Sequence, residues 1–117
     1  MEMNIVKIIK INEVETATTP HKVDVRKLFS FKHATLVHIE LKPGESLKLH
    51  KTPVDVFFYV LEGKGIVTIG KEEQKVQQDQ LVFSPEGIPH KLSNESEAPF
   101  RFLVIKTPTP TKETKIL

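Results

Sequence analysis

The sequence predicts an all-β sandwich or barrel, and three observations carry that expectation. Short apolar runs rich in Val, Ile and Phe recur along the chain. Turn signals built from Gly, Pro, Asp and Asn separate them at intervals of about eight to twelve residues. No segment carries a convincing helical repeat of apolar positions.

In chain order, residues 5–11 (IVKIIKI) alternate imperfectly but β-branched residues dominate, which predicts a first strand. Residues 16–21 (TATTPH) form a loop, set by their threonines and Pro20. Residues 23–31 fit neither period, because Val23, Val25, Leu28 and Phe29 share no regular face. Residues 33–41 (HATLVHIEL) alternate cleanly and read as a half-buried strand ended by the turn Lys42-Pro43-Gly44. A short strand over 46–50 is interrupted at Thr52-Pro53.

Residues 54–61 (VDVFFYVL) form a strand without alternation, so both of its faces need cover. Left exposed, such a run is an aggregation hazard, and a homodimer is the expected remedy. Gly63 and Gly65 mark a hairpin turn into a return strand over 65–70. A polar turn at 71–73 leads to 74–77, and a turn at Asp79-Gln80 leads to a strand over 80–83 that stops before Pro85. A short strand starts at 90–92, a loop covers 94–99, and the last strand is 100–106 (FRFLVIK). The remaining 107–117 (TPTPTKETKIL) have no periodicity and are expected to be extended or disordered. One domain over 1–106 with a tail over 107–117 is the expected organisation.

Composition narrows the function classes. At 117 residues the chain can bury one core but not two. A net charge of +2 with scattered lysines gives no stripe for nucleic acid. With no cysteine, thiolate metal sites, disulfides and thiol catalysis are excluded. No apolar run reaches the roughly 18 residues of a membrane span, and the first residues lack the pattern of a secretory signal. A cytoplasmic protein with no membrane partner is the expectation.

The spacing of turn residues and histidines then points to a family. Gly44, five residues, His50, one residue, Thr52, three residues, Val56, six residues and Gly63 resemble the first cupin motif. That motif reads Gly, five residues, His-x-His, three or four residues, Glu, six residues, Gly. Asp79, five residues, Pro85-x-Gly87, two residues, His90, three residues and Asn94 resemble the second, with Asp79 where the family usually has Gly. The resemblance spans 44–94.

That resemblance implies a double-stranded β-helix, or jelly roll, with a central ligand pocket and frequent dimerisation. It also implies a divalent metal held by three His and one Glu. Carried over position by position, those ligands are His50, Thr52, His90 and Val56, of which only His50 and His90 are ligand types. The cofactor expectation is therefore at most a loosely bound Zn, Ni, Fe or Mn on these two histidines.

The expected pocket residues are His50, Thr52, Val56, Phe58 and His90. His50 and His90 are read as a pair facing a small-molecule ligand, against the plainer reading of buried imidazoles bonded to backbone carbonyls. Thr52 serves equally well as a turn residue beside Pro53. By parity Tyr59, Phe57 and Leu61 point outward, to an interface or to ordinary sheet packing. His38 shares a face with Glu40 and is expected at the solvent. His21 and His33 are expected on surface loops, and Lys48 either rims the pocket or is simply solvated. The functional expectation is a small-molecule-binding cupin with two pocket histidines and a weak or absent metal site. The alternative is a metal-dependent isomerase, lyase or dioxygenase using His50 and His90. Whether the protein is an enzyme stays open at this stage.

Overall fold

Two five-stranded antiparallel sheets pack face to face in a computed structural model that describes residues 5–117. The strands are β1 (Asp24–Phe31), β2 (Ala34–Leu41), β3 (His50–Lys51), β4 (Asp55–Glu62), β5 (Lys64–Ile69), β6 (Glu72–Gln77), β7 (Leu81–Ser84), β8 (His90–Ser93), β9 (Phe100–Thr107) and β10 (Lys115–Ile116). One sheet runs β1-β2-β9-β4-β7 and the other β10-β3-β8-β5-β6. This is the double-stranded β-helix. No helix among the described residues is long and apolar enough to cross a membrane.

The core lies between the sheets and follows from strand parity. Alternate residues Val56, Phe58 and Val60 of β4 and Phe100, Phe102 and Val104 of β9 point inward and are buried. Val37, Ile39 and Leu41 of β2 and Leu92 of β8 close the same core. Phe58 and Phe100 each pack on Phe102, with ring centroids 6.2 and 5.0 Å apart. The run at 54–61 does alternate in burial: Phe57, Tyr59 and Leu61 are half-buried on the outer face. Both faces are apolar, but only the inner one is covered within the chain.

Four segments depart from the sequence reading or sharpen it. Residues 5–10 form no strand, and a 3-10 turn at Ile11–Glu13 follows them. The β-branched composition is real, but no neighbouring strand pairs with the segment. Of residues 23–31, Asp24–Phe31 form β1, paired with β2 through an irregularity between Lys27 and Phe29. That bulge shifts the two-residue period midway, which is why no single face fits. The short strand at 46–50 shrinks to His50–Lys51, with Ser46 making one bridge to Ser93. Of the tail, Lys115–Ile116 returns as an extended strand beside Lys51 and His50.

The motif positions have backbone reasons. Gly63 has φ +80°, and a Cβ there would collide with the Pro99 carbonyl. Gly87 has φ +73° with open space where a Cβ would sit. Asp79, standing where the family frame has Gly, adopts φ 68°, a conformation that Asp tolerates better than most residues. Asn94 is buried and donates through Nδ2 to the carbonyls of Leu41 (2.9 Å) and Ala98 (2.8 Å). It clamps the loop before β9 to the end of β2. We expect Gly63→Ala to destabilise the fold by more than about 2 kcal/mol, combining positive φ with a backbone clash. Gly87→Ala should cost only the conformational term of about 1 kcal/mol. Urea unfolding of the two variants checks the ranking.

Candidate functional site

Residues at the open end of the barrel converge on a cavity of about 240 Å³ between the sheets. Its apolar wall is Val25, Val37, Ile39, Leu47, Phe58 and Val104. Its polar groups are His21, His50, His90, Thr52, Lys27 and Lys106. Thr114 and Ile116 reach it from the C-terminal segment. No Asp or Glu lines it among the described residues. A larger depression of about 770 Å³ around Gly63, Lys64 and Gln77 lies on the outside and contains no histidine.

His50 and His90 face each other because β3 and β8 pair in the register His50↔His90. Their ring centroids are 4.5 Å apart at an interplanar angle of 73°. His90 is held at both ring nitrogens: Nδ1 lies 2.6 Å from Ser84 Oγ and Nε2 3.2 Å from Thr52 Oγ1. In the neutral ring one nitrogen donates and the other accepts, and hydroxyls serve either need. The edge of the Phe58 ring contacts it as well, with centroids 5.2 Å apart.

The Lys48 peptide fixes the other two imidazoles. His50 Nδ1 is 2.6 Å from the Lys48 carbonyl, which can only accept, so Nδ1 carries the proton and Nε2 keeps its lone pair. His21 Nδ1 accepts from the Lys48 N–H at 2.9 Å, so its proton sits on Nε2. With centroids 4.7 Å apart, the two rings offer opposite hydrogen-bonding characters at Nε2.

Burial sets the charge states. Desolvation first, then His50, Lys106 and His21, push the His90 pKa down to about 3. Desolvation, then His50, Lys48 and Lys106, bring His21 to about 4. His50 is also lowered by burial, against the raising effect of its bond to Lys48. Lys106 is lowered by burial and by Lys27.

The structure puts His50, Thr52, Phe58 and His90 on the cavity wall, while Val56, 1% exposed, lies behind it. The Lys48 side chain is exposed and does not line the cavity; its peptide is what matters. His33 is exposed beside Phe31. His38 is buried, contrary to expectation, because Arg101 Nε donates to its Nε2 at 3.1 Å. Its Nδ1 has no partner among the described residues, and it does not line the cavity. His21, Ser84, Lys27 and Lys106 belong to the site although the motif spacing does not mark them. Lys106 shares parity with Phe102 and Val104, a signal present in the sequence; nothing local marks His21.

A cupin domain family matches residues 37–106. The chain is a cupin. Over 67 residues it is 37% identical to the tetracenomycin polyketide synthase protein TcmJ of Streptomyces glaucescens. That match covers 56% of this chain and 45% of TcmJ, so the cupin spans about half the length of this curated relative. Its fold is similar to that of the TT1209 protein of Thermus thermophilus, with a TM-score of 0.77 and 29% identity. The likeness covers 90% of this chain and 100% of that one. The polyketide cyclase RemF of Streptomyces resistomycificus aligns with a TM-score of 0.83 over 97% of this chain and 86% of its own. At 21% identity that likeness shows the shared fold.

Cupins often bind metals, so the donor set here bears directly on that role. Among the described residues no group of three His, Cys, Asp or Glu is arranged to hold an ion. Both nitrogens of His90 are already bonded, and His21 carries its proton on Nε2. The charged neighbours are lysines, with no carboxylate to offset a dication. These residues do not fit a divalent metal.

The histidine pKa values predict acid sensitivity. The folded state keeps His90 neutral down to about pH 3, whereas the unfolded chain takes up that proton near pH 6.5. Its contribution is therefore complete above pH 6.5 and is lost as pH falls toward 3. Between pH 7 and pH 5 this amounts to about 2 kcal/mol for His90 alone. Replacing it in His90→Asn should lower stability at pH 7 yet flatten the pH slope by that amount, as read from urea midpoints at the two pH values.

Proposed function

We propose that this cupin binds a small organic anion with an apolar body about the size of one ring, without a metal. The observation that carries the reading is Lys106: with Lys27 it lines a cavity that has no carboxylate among its described lining residues. Burial and Lys27 disfavour its charge, so an incoming anion relieves both costs at once. His21 Nε2–H adds a neutral donor for the same group. Val37, Ile39, Phe58 and Val104 supply the complementary apolar surface. A dry cavity of about 150 Å³ holds benzene, so about 240 Å³ leaves room for one ring and a carboxylate.

A second reading rests on His50. Its Nδ1–H is committed to the Lys48 carbonyl, so its Nε2 lone pair is left to take a proton from a carbon acid, with Lys106 stabilising the enolate formed. The similarity to a polyketide synthase protein supports testing it.

Benzoate and phenylacetate should raise the melting temperature, whereas benzamide of nearly equal size should not. Lys106→Met should weaken benzoate binding at least tenfold, about 1.4 kcal/mol, by isothermal titration calorimetry. Equal binding of benzamide, or an unaffected Lys106→Met variant, sinks the anion reading. For the second reading, protein purified without nickel resin should accelerate deuterium uptake at the central carbon of a cyclic 1,3-diketone, and His50→Ala should abolish this. A stoichiometric metal in that same protein, lost in His50→Ala, would count against both metal-free readings.

A further inference from the structure

Strand register, and no ion pair, sets the place of Lys106. One inward row across the first sheet runs Thr35, Lys106, Val56, Ser84. Cross-strand neighbours in such a row share a face and lie within side-chain reach. Thr35 Oγ1 is already engaged, 2.8 Å from Ser30 Oγ and 2.7 Å from Thr109 Oγ1. Val56 is apolar and 1% exposed. The family frame has a carboxylate at that position, directly across from Lys106, and this chain has none. The ion pairs among the described residues join Lys10 to Glu13, Arg26 to Asp24 and Arg101 to Glu62, and leave Lys106 out.

The adjoining row brings a second amine. It runs Lys27, Val37, Val104, Phe58, and both lysines line the cavity. The second sheet brings His50 from β3 and His90 from β8 to the same cavity, and the loop before β1 brings His21. All three imidazoles have lowered pKa values, chiefly through burial. Among the described residues no carboxylate lines the cavity. Burial, then Lys27, lower the pKa of Lys106 as well. A desolvated lysine beside a second cationic group is the setting in which an amine becomes a nucleophile.

We infer that Lys106 captures aldehydes and ketones carrying one apolar ring as an imine inside the barrel, a covalent activity beyond the two non-covalent ones proposed above. The Nζ lone pair attacks the carbonyl carbon, a C–N bond forms, and the C=O π pair moves to oxygen. A proton passes from nitrogen to that oxygen, giving a carbinolamine. The hydroxyl then takes a proton from the medium, the C–O bond breaks, and water leaves. The nitrogen lone pair closes the C=N bond. One carbonyl, one neutral amine and one proton thus give one iminium and one water. His50 Nε2, which keeps its lone pair because Nδ1–H is bonded to the Lys48 carbonyl, carries the proton from nitrogen to oxygen. The apolar wall of Val37, Phe58 and Val104 keeps out the water that would reverse the capture.

Benzaldehyde with sodium cyanoborohydride at pH 7 tests this, because the reagent reduces an iminium to a stable secondary amine. Peptide mass spectrometry of the wild type should find the benzyl group on Lys106 at least about tenfold faster than on any other lysine. Lys106→Arg keeps the positive charge but cannot form an imine. It should lose the fast labelling while still binding benzoate, which separates capture from the anion reading. Lys27→Met should move the pH profile of labelling upward, since Lys27 helps to lower the Lys106 pKa. Circular dichroism verifies that both variants remain folded. Labelling of Lys106 no faster than that of the other lysines overturns the inference. So does an overall fast phase that survives in Lys106→Arg.

Discussion

The cavity depends on one buried imidazole kept neutral by desolvation and held in place by its hydroxyl neighbours. Ser84 and Thr52 occupy the two nitrogens of His90, so a polar ring sits deep in the barrel with both nitrogens satisfied by protein groups. His50 is set across from it by strand pairing, and His21 is tied to the Lys48 peptide. The polar end of the cavity is thus fixed by bonds internal to the protein. A bound molecule meets groups already oriented for it.

Most of the architecture could be read from the sequence because strands announce themselves locally. Alternation over 33–41, the turns at Gly44 and Gly63 and the apolar run in β4 each map onto an observed element. The failures have a common cause in information that is not local. Residues 5–10 look like a strand, but strandhood needs a partner. The β1 bulge shifts the period in mid-strand. His38 shares parity with Glu40, yet Arg101 from β9 draws it out of solvent. Within the site, His50 and His90 are legible from spacing, and Lys106 is detectable from the parity of β9. The contribution of His21 follows from how the loop before β1 closes on β3.

Thr52 and Val56 change the character of the family frame rather than deleting part of it. Thr52 hydrogen-bonds His90 where the frame places a third imidazole, and Val56 packs in the core where it places a carboxylate. Lys106 meanwhile brings a cation to the cavity. The electrostatic sense of the site is inverted: a frame that elsewhere surrounds a positive ion here presents positive charge to its contents. The same barrel can serve either purpose because its walls are set by strand parity and its polarity by a few inward positions.

β10 touches both the frame and the cavity. Ile116 pairs with His50 and lines the cavity, while the Leu117 N–H bonds the Leu49 carbonyl at 3.0 Å. So short a strand detaches far more readily than the sheets it rests on. For the anion proposed above, residence time in the barrel is then expected to follow fraying of these two residues, and affinity to follow the histidines and lysines. Two molecules with equal dissociation constants can exchange at very different speeds, according to whether they must pass Ile116 to leave.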